Sequence, residues 1–554
     1  MNIKKYIVSG CVALLGLGIT SCTGDLDLLP NDPNLVDENS PNFKENTLAM
    51  CYSGIACEGY SGAGSSYISG MDGGASNYMR VMFMLSEFGT DEMIWIWTGD
   101  DGVPDIIADT WNNNNAILNT AYYRLLGHIA ICNQYLMNTR DDNDAQSVEM
   151  RAEARVLRAY SYYNMLDLFG MSSFVTEETA GQDPVQISRV DLYNWLEKEL
   201  VDIVDNRLVA MNPVYGRVGI DGAEGLLAKL YLNAGVFTGT PQWEKCQERC
   251  ENIIKRHQGT GFNGSGLAEH YLYLFARDNA SYMPGGDKPG ENEILFGLSY
   301  NDTYTQAYGG TSFLISGCIT NTYYVPRQDY GCSAEWSCIR GRYEMAERFY
   351  GISDTDTRDD LWVRGVFPAI PSLNVDEEDY SDRFKGFTGA WATTGGNMII
   401  KFTGRLRNAA EDGGWAAEFP VTDFASTDLP IIRLADIYLM YTECYINGHA
   451  GEGAKALNYI NYVRQRAGAP SFTASELTVQ NLMDERSREL YLESWRRNDL
   501  VRNGMFAGPQ QTIWQYKGSI NNNEGTRIPS HYNLYPVPYN VLSSQPHFKQ
   551  NPGY

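Results

Sequence analysis

The chain has 554 residues, with 43 Lys and Arg against 68 Asp and Glu, a formal net charge of −25 at neutral pH. That length supports a large domain or several modules, and the acidity excludes a nucleic-acid surface, which must concentrate Lys and Arg in a patch that this sequence lacks. With 37 Tyr, 20 Phe and 11 Trp, aromatics reach 12%, more than a core of this size needs, which points to rings that face a ligand.

Residues 1–21 read as a signal peptide: Lys4 and Lys5, an apolar stretch from about Tyr6 to Ile19, then small residues before Cys22. The stretch is too short and one-sided to span a membrane. Its ending, Ile19-Thr20-Ser21-Cys22, resembles a bacterial lipobox, which implies acylation of Cys22 and anchoring to a membrane, since each buried methylene contributes about 0.8 kcal/mol. Cleavage there removes two Lys and no acid, moving the charge from −25 to −27. Residues 22–40, with Pro30, Pro33 and several acids, read as a lipidated tether. Acid soon after the cysteine is similar to the surface-export signal of Bacteroidetes lipoproteins, which implies an outer-membrane protein exposed at the cell surface. Nine cysteines remain after Cys11 and Cys22. The odd number cannot all pair within the chain, no Cys-x-x-Cys supports zinc, and mostly free, buried thiols are expected.

Residues 41–554 read as a single, mainly α domain: loop-rich portions at about 57–110 and 259–429, and helical repeats at about 115–258 and 430–505. Glu149–Gly170 places Ala152, Val156, Ala159, Tyr163 and Leu166 at helical spacing, with Gly170 to end it. Ala223–Arg256 is a helix, a Gly-containing turn and a second amphipathic helix within 34 residues. Ile432–Gly468 repeats the plan, with Ala435, Tyr438, Ala454 and Ala456 where two helices approach closely. This is the tetratricopeptide pattern, in which stacked helical hairpins make a curved scaffold, and the loop-rich half is where such a scaffold carries function.

No His-Glu-x-x-His site and no Gly-x-Ser-x-Gly elbow occurs. Gly259–Gly264 spells G-x-G-x-x-G but follows a helix, not a strand, so the dinucleotide reading fails. A glycosidase needs only two acids at the right separation, which spacing along the chain does not reveal; runs such as Asp354–Asp360 and Asp376–Asp379 read as solvated loops. Nothing positive supports an enzyme. Trp95-Ile96-Trp97 carries the ligand reading: two residues apart in an extended segment, both indoles would lie on one side about 7 Å apart. They would form a platform for the apolar face of a sugar, whose hydroxyls need hydrogen-bond partners at the edges. Two core tryptophans are the alternative.

Four blocks resemble the SusD family of Bacteroidetes surface lipoproteins that bind glycans for uptake. They are RAEARVLRAY (Arg151–Tyr160) continuing to Gly170; RLADIY (Arg433–Tyr438) with Ile460–Gly468; Asp484–Leu500; and LYPVP (Leu534–Pro538) with the terminal NPGY. The resemblance implies that these arginines and acids pair helices rather than form a site. It is strongest to a starch-binding member, and implies a glycan arc of Trp95 and Trp97 in a Thr-Asp-Glu-x-x-Trp-x-Trp segment, Tyr308 before Gly309-Gly310, and Trp336 in Trp-Ser-Cys-Ile. Asp72, Arg80 and Asp100 are its polar partners, Asp100 standing where the family usually has Asn. A curved row of rings suits a curved chain, so starch or malto-oligosaccharide is the expected ligand, delivered to a SusC-like TonB-dependent transporter. A different glycan, or less readily a surface glycoside hydrolase, is the alternative. No cofactor is required; the resemblance allows a structural calcium at Asp278 and Asp428.

Overall fold

The computed structural model describes residues 42–59, 61–68, 71–286, 292–319, 327–349, 352, 355–358, 362–363, 398–408, 410, 413–522 and 524–554. The expected signal peptide, Cys22 and the tether lie outside them, as does the acidic run 376–379. The chain divides into a unit that ends at Thr47, of which only residues 42–47 are described, and a unit Leu48–Tyr554, which holds the helical scaffold.

The fold is mainly helical. Helices Ala116–Asn138, Ala145–Leu168, Arg189–Asp205, Ile220–Leu232 and Trp243–His257 pack each against the next. The last of them packs on Leu434–Gly448, which in turn packs on Gly453–Arg466. Two helical stretches far apart in sequence thereby become one scaffold. Polar caps start the helices where an orphan N–H would otherwise be left: Asn115, Asp144 and Ser188 accept from the first-turn amides. Gly170, at φ +70°, follows the helix ending at Leu168, its N–H donating to the Met165 carbonyl at 3.1 Å. Ala435 and Ala456 are fully buried, and Thr442 Oγ1 donates across to the Ala456 carbonyl at 3.1 Å, so those two helices do approach closely. Ala454 faces solvent instead. No helix among the described residues is long and apolar enough to cross a membrane.

The family blocks meet in a buried lattice of charges. Arg433, brought in by the pairing of strand Ile294–Leu298 with Leu429–Arg433, donates to Glu293 at 2.6 Å, Glu489 at 3.0 Å and Glu493 at 2.7 Å. Arg466 donates to the same Glu293 and Glu489, at 2.7 and 2.6 Å. Arg358 bridges Asp356, Glu485 and Glu489. Burial alone would push the Glu485 carboxyl up, but Arg358, Arg488 and Arg464 hold it well below the usual carboxylate range. Removing one member would strand its partners uncompensated, at a cost of about 3–5 kcal/mol.

Cys57, Cys132, Cys246, Cys250, Cys318, Cys332, Cys338 and Cys444 are free, and all of these but Cys57 are buried, as is Cys51, in line with the expectation of mostly free, buried thiols. The 57–110 portion is less irregular than its composition suggested: Tyr78–Glu87 is a helix, nine of its residues buried. At ten residues it is shorter than the window over which an apolar period declares itself.

Candidate functional site

Three segments build the site. Strand Met93–Trp95 pairs antiparallel with Ile339–Gly341, Trp95 opposite Ile339, and the Ile96 N–H donates to the Cys338 carbonyl at 2.8 Å. This sets the 95–97 segment beside Trp336–Cys338. Trp336 and Cys338 in turn donate backbone N–H groups to Ser316 and Gly317 at 2.7 and 2.8 Å, docking that segment on helix Gly310–Cys318, which carries Phe313. Ser337 takes a left-handed φ of 53°, a conformation a non-glycine residue holds only where its surroundings dictate it.

The rings form a continuous row. Trp97 meets Trp95 edge-on at 5.4 Å and 75°; Trp95 stacks on Phe313 at 5.3 Å and 16°; Phe313 meets Trp336 at 6.3 Å and 55°. Trp336 meets Tyr308 at 6.3 Å and 47°, and Tyr308 meets Phe424 at 5.1 Å and 53°. Trp97 and Tyr308 are 38% and 41% exposed, while Trp95 and Phe313 are buried. Trp336 and Phe424 are half-buried.

The expected platform of two indoles on one side is therefore corrected. Trp95 is wholly inside and backs Trp97, which alone of the pair reaches solvent. The strand ends at Trp95, and the Thr98 N–H turns back onto the Ile96 carbonyl at 3.1 Å, so the two-residue alternation of an extended segment does not carry through to Trp97. Phe313 and Phe424 were not foreseen.

The polar residues converge on the same row. A Cβ built on Gly74 would lie 3.3 Å from Tyr308 Cβ, 3.7 Å from Asp72 Oδ1 and 3.8 Å from Arg80 Nη1, so those three meet around one glycine. Asp72 is exposed, its Oδ1 accepting from the Ala75 N–H at 2.8 Å. Asn77 caps the Tyr78–Glu87 helix and accepts from the Arg80 N–H at 3.2 Å, aiming the guanidinium over Phe313 at 4.9 Å and Trp95 at 5.3 Å. Among the described residues the Arg80 side chain has no carboxylate within ion-pair range, and its buried Nε has no hydrogen-bond partner. Burial pulls its pKa down, against Cys338, Asp100, Asp72 and Glu58, which favour the charge. Asp100 is exposed, with one oxygen accepting from Trp95 Nε1–H at 3.2 Å.

Glu58 was also not foreseen. Wholly buried, it accepts from the N–H groups of Gly64 and Gly309, each at 2.9 Å, fastening two loops on either side of Tyr308. Its pKa is raised by burial, against those N–H bonds. Gly309 and Gly310 have to be glycine: a Cβ on Gly309 would fall 2.0 Å from Asn77 Cγ, and one on Gly310, at φ +54°, 2.1 Å from the Tyr300 hydroxyl.

Asp278 and Asp428 do not fit a shared calcium. Asp278 Oδ2 accepts from Arg407 Nε at 2.8 Å, so a cation already occupies that carboxylate. Asp428 is buried, accepting from Tyr215 OH at 2.6 Å and the Tyr300 N–H at 2.9 Å. Burial pushes its pKa up to about 7, opposed by those two bonds, and both carboxylate oxygens are already engaged by protein donors. No group of three His, Cys, Asp or Glu among the described residues could hold a metal ion.

A family model for the SusD family matches residues 292–554. Starch-binding protein SusD of Bacteroides thetaiotaomicron is 30% identical over 582 aligned residues, covering 100% of this chain and 99% of that protein. Among solved structures, a SusD-like carbohydrate binding protein of Bacteroides fragilis has a TM-score of 0.66 at 18% identity, over 92% of this chain and 99% of that one. Surface glycan-binding protein A of Bacteroides thetaiotaomicron, solved with laminarihexaose, has a TM-score of 0.65 at 18% identity, over 92% and 99%. End-to-end similarity at that identity, on the same mainly helical fold, means that the chain belongs to the SusD family.

Proposed function

We propose that this protein is a non-catalytic, lipid-anchored glycan-binding protein of the outer-membrane surface, which captures starch or malto-oligosaccharide on its row of rings and passes it to a SusC-like TonB-dependent transporter. The observation that carries the ligand reading is the tilt of the row. Trp97, Trp336 and Tyr308 are the members at the surface; Trp336 and Tyr308 are tilted by 47° to each other, and Trp97 and Trp336 are tilted by 75° and 55° to the buried rings Trp95 and Phe313 that join them. A surface that turns favours a chain that turns, as an α-1,4-glucan does; a flat chain would touch fewer rings. Each ring offers its face to the apolar side of a sugar, while Arg80 supplies donors and Asp72 and Asp100 supply acceptors for hydroxyls. A neutral ligand needs no complementary charge, so the acidity of the chain does not oppose it. The full-length similarity to a starch-binding protein supports the same ligand. The lipid anchor and the surface location rest on the lipobox resemblance, and the transporter on family membership.

Electrophoresis of the native protein through gels containing starch, pullulan, dextran or laminarin tests the reading. Slowing in starch and pullulan but not dextran is expected. Slowing in laminarin alone would transfer the site to a β-1,3-glucan, and release of reducing ends from soluble starch would make the protein a hydrolase instead.

A further inference from the structure

A cavity of about 270 Å³ is lined by Asn113, Asn114, Ala116, Asn119, Tyr539 and Asn540. Four carboxamides, one phenol and a methyl make a pocket without a single charge. Tyr539 is 55% exposed, a ring presented to solvent at the pocket's edge. Its N–H donates to the Asn113 carbonyl at 2.8 Å, which joins the two walls. Asn540 Nδ2 donates to Asn119 Oδ1 at 3.2 Å. That bond leaves the Asn119 amide N–H groups and the Asn540 carbonyl uncommitted. Among the described residues the Asn113 side chain and the Tyr539 hydroxyl form no hydrogen bond either.

Donors and acceptors in alternation beside an exposed ring match one chemistry: a neutral hexopyranose, whose vicinal hydroxyls each give and take a hydrogen bond while its C–H face lies on the phenol. An anion would find no cation here, and an apolar ligand would strand the amides. The pocket is tied to the arc. Asn115, between Asn114 and Ala116, donates its Nδ2 to the Gly102 carbonyl at 2.9 Å, two residues beyond Asp100, and its Oδ1 caps the Ala116–Asn138 helix.

We infer that this amide pocket is a second glycan-binding site, taking one neutral hexopyranose ring of the polysaccharide that the aromatic row holds. The contribution to avidity rests on the glycan reading of that row; the pocket's chemistry does not. With two points of attachment, Tyr539→Ala and Asn119→Ala each lower the apparent affinity for soluble starch about tenfold by loss of avidity, while maltotriose, which fills only the row, binds as before. A Trp97→Ala/Trp336→Ala double variant, checked for an unchanged circular-dichroism spectrum, keeps a residual slowing in starch gels that adding Tyr539→Ala removes. Starch retention unchanged by both pocket variants, or residual slowing that survives Tyr539→Ala, overturns the second site. If the parent protein runs unslowed in starch, it is the α-glucan reading that has failed. The same variants are then compared in whichever polysaccharide slows the parent, and a parent slowed by none overturns both.

Discussion

Trp97→Ala separates a ligand ring from a core ring. Trp97 is 38% exposed; on a side chain that can bury about 250 Å², about 95 Å² of ring remains for a ligand. At about 25 cal/mol per Å² that area is worth at most about 2.4 kcal/mol. Ordering the sugar and desolvating its hydroxyls leaves about 1–2 kcal/mol, a 5- to 30-fold weakening of malto-oligosaccharide binding by calorimetry. On the stability side the variant loses the edge contact with Trp95 at 5.4 Å and part of its own packing, together about 2–3 kcal/mol. Unfolding entropy of about 2 cal/mol/K per residue, over a unit as long as Leu48–Tyr554, converts this to a fall in Tm of only about 2–3 °C. Affinity within twofold of the parent refutes the row of rings. A fall in Tm beyond about 10 °C refutes the assignment of Trp97 to the ligand.

Arg80→Met weakens glucan binding at least tenfold yet leaves Tm unchanged or higher, because a buried cation without a carboxylate partner costs more than it returns; a melt lowered by more than about 5 °C shows the guanidinium to be structural. Asp100→Asn keeps an acceptor for Trp95 Nε1–H and restores the amide donors usual in the family, so affinity for maltoheptaose rises about two- to fivefold; a tenfold loss shows that the charge itself is used. Glu58→Ala releases the N–H groups of Gly64 and Gly309 and weakens binding about tenfold by loosening Tyr308, read by calorimetry; equal affinity means that the loops hold without it. Asp428 has an ordinary pKa near 4 when unfolded and about 7 when folded, so the folded protein keeps a proton that the unfolded chain has lost. Stability from this group is full below pH 4 and is lost as pH rises towards 7, on the order of 4 kcal/mol. Asp428→Asn therefore melts higher than the parent at pH 8 and no higher at pH 4, and parallel melting curves across that range refute it.

What could be read in advance followed from local rules. Helices such as Ala145–Leu168 and Gly453–Arg466 show themselves because one face is apolar and the other is not. The Tyr78–Glu87 helix hid because ten residues are too few for an apolar period to declare itself, and Trp95 was misplaced because a rule of alternation holds only as far as the strand does. Glu58 and Gly309 are 251 residues apart, and Asp278 and Arg407 are 129 apart; contacts at that range leave no spacing signature. A lone acid in a loop looks the same whether it will meet a metal, an arginine or a backbone amide. Trp95 and Trp97 stood out by their own spacing, whereas Tyr308, Trp336, Asp72, Arg80 and Asp100 were reached through family resemblance alone; Phe313, which packs beneath the row, lies in a helix too uniformly buried to single out one ring.

The contrast between buried arginines separates scaffold from site. Arg433, Arg466, Arg358 and Arg464 each meet a carboxylate, while Arg124 and Arg342 donate to backbone carbonyls. Folding supplies their partners, and little is left for a ligand. Arg80 faces Trp95 and Phe313 with neither kind of partner among the described residues, its charge favoured only at a distance by Asp100, Asp72 and Glu58. A fold that gives each of those six arginines at least one partner leaves Arg80 with none among the described residues, at the row of rings, where binding, not folding, completes the hydrogen bonds. The same contrast accounts for the direction of the two opposed outcomes: substitutions in the Arg433–Glu489 lattice lower stability first and binding only as a consequence, whereas substitution of Arg80 lowers binding while stability holds.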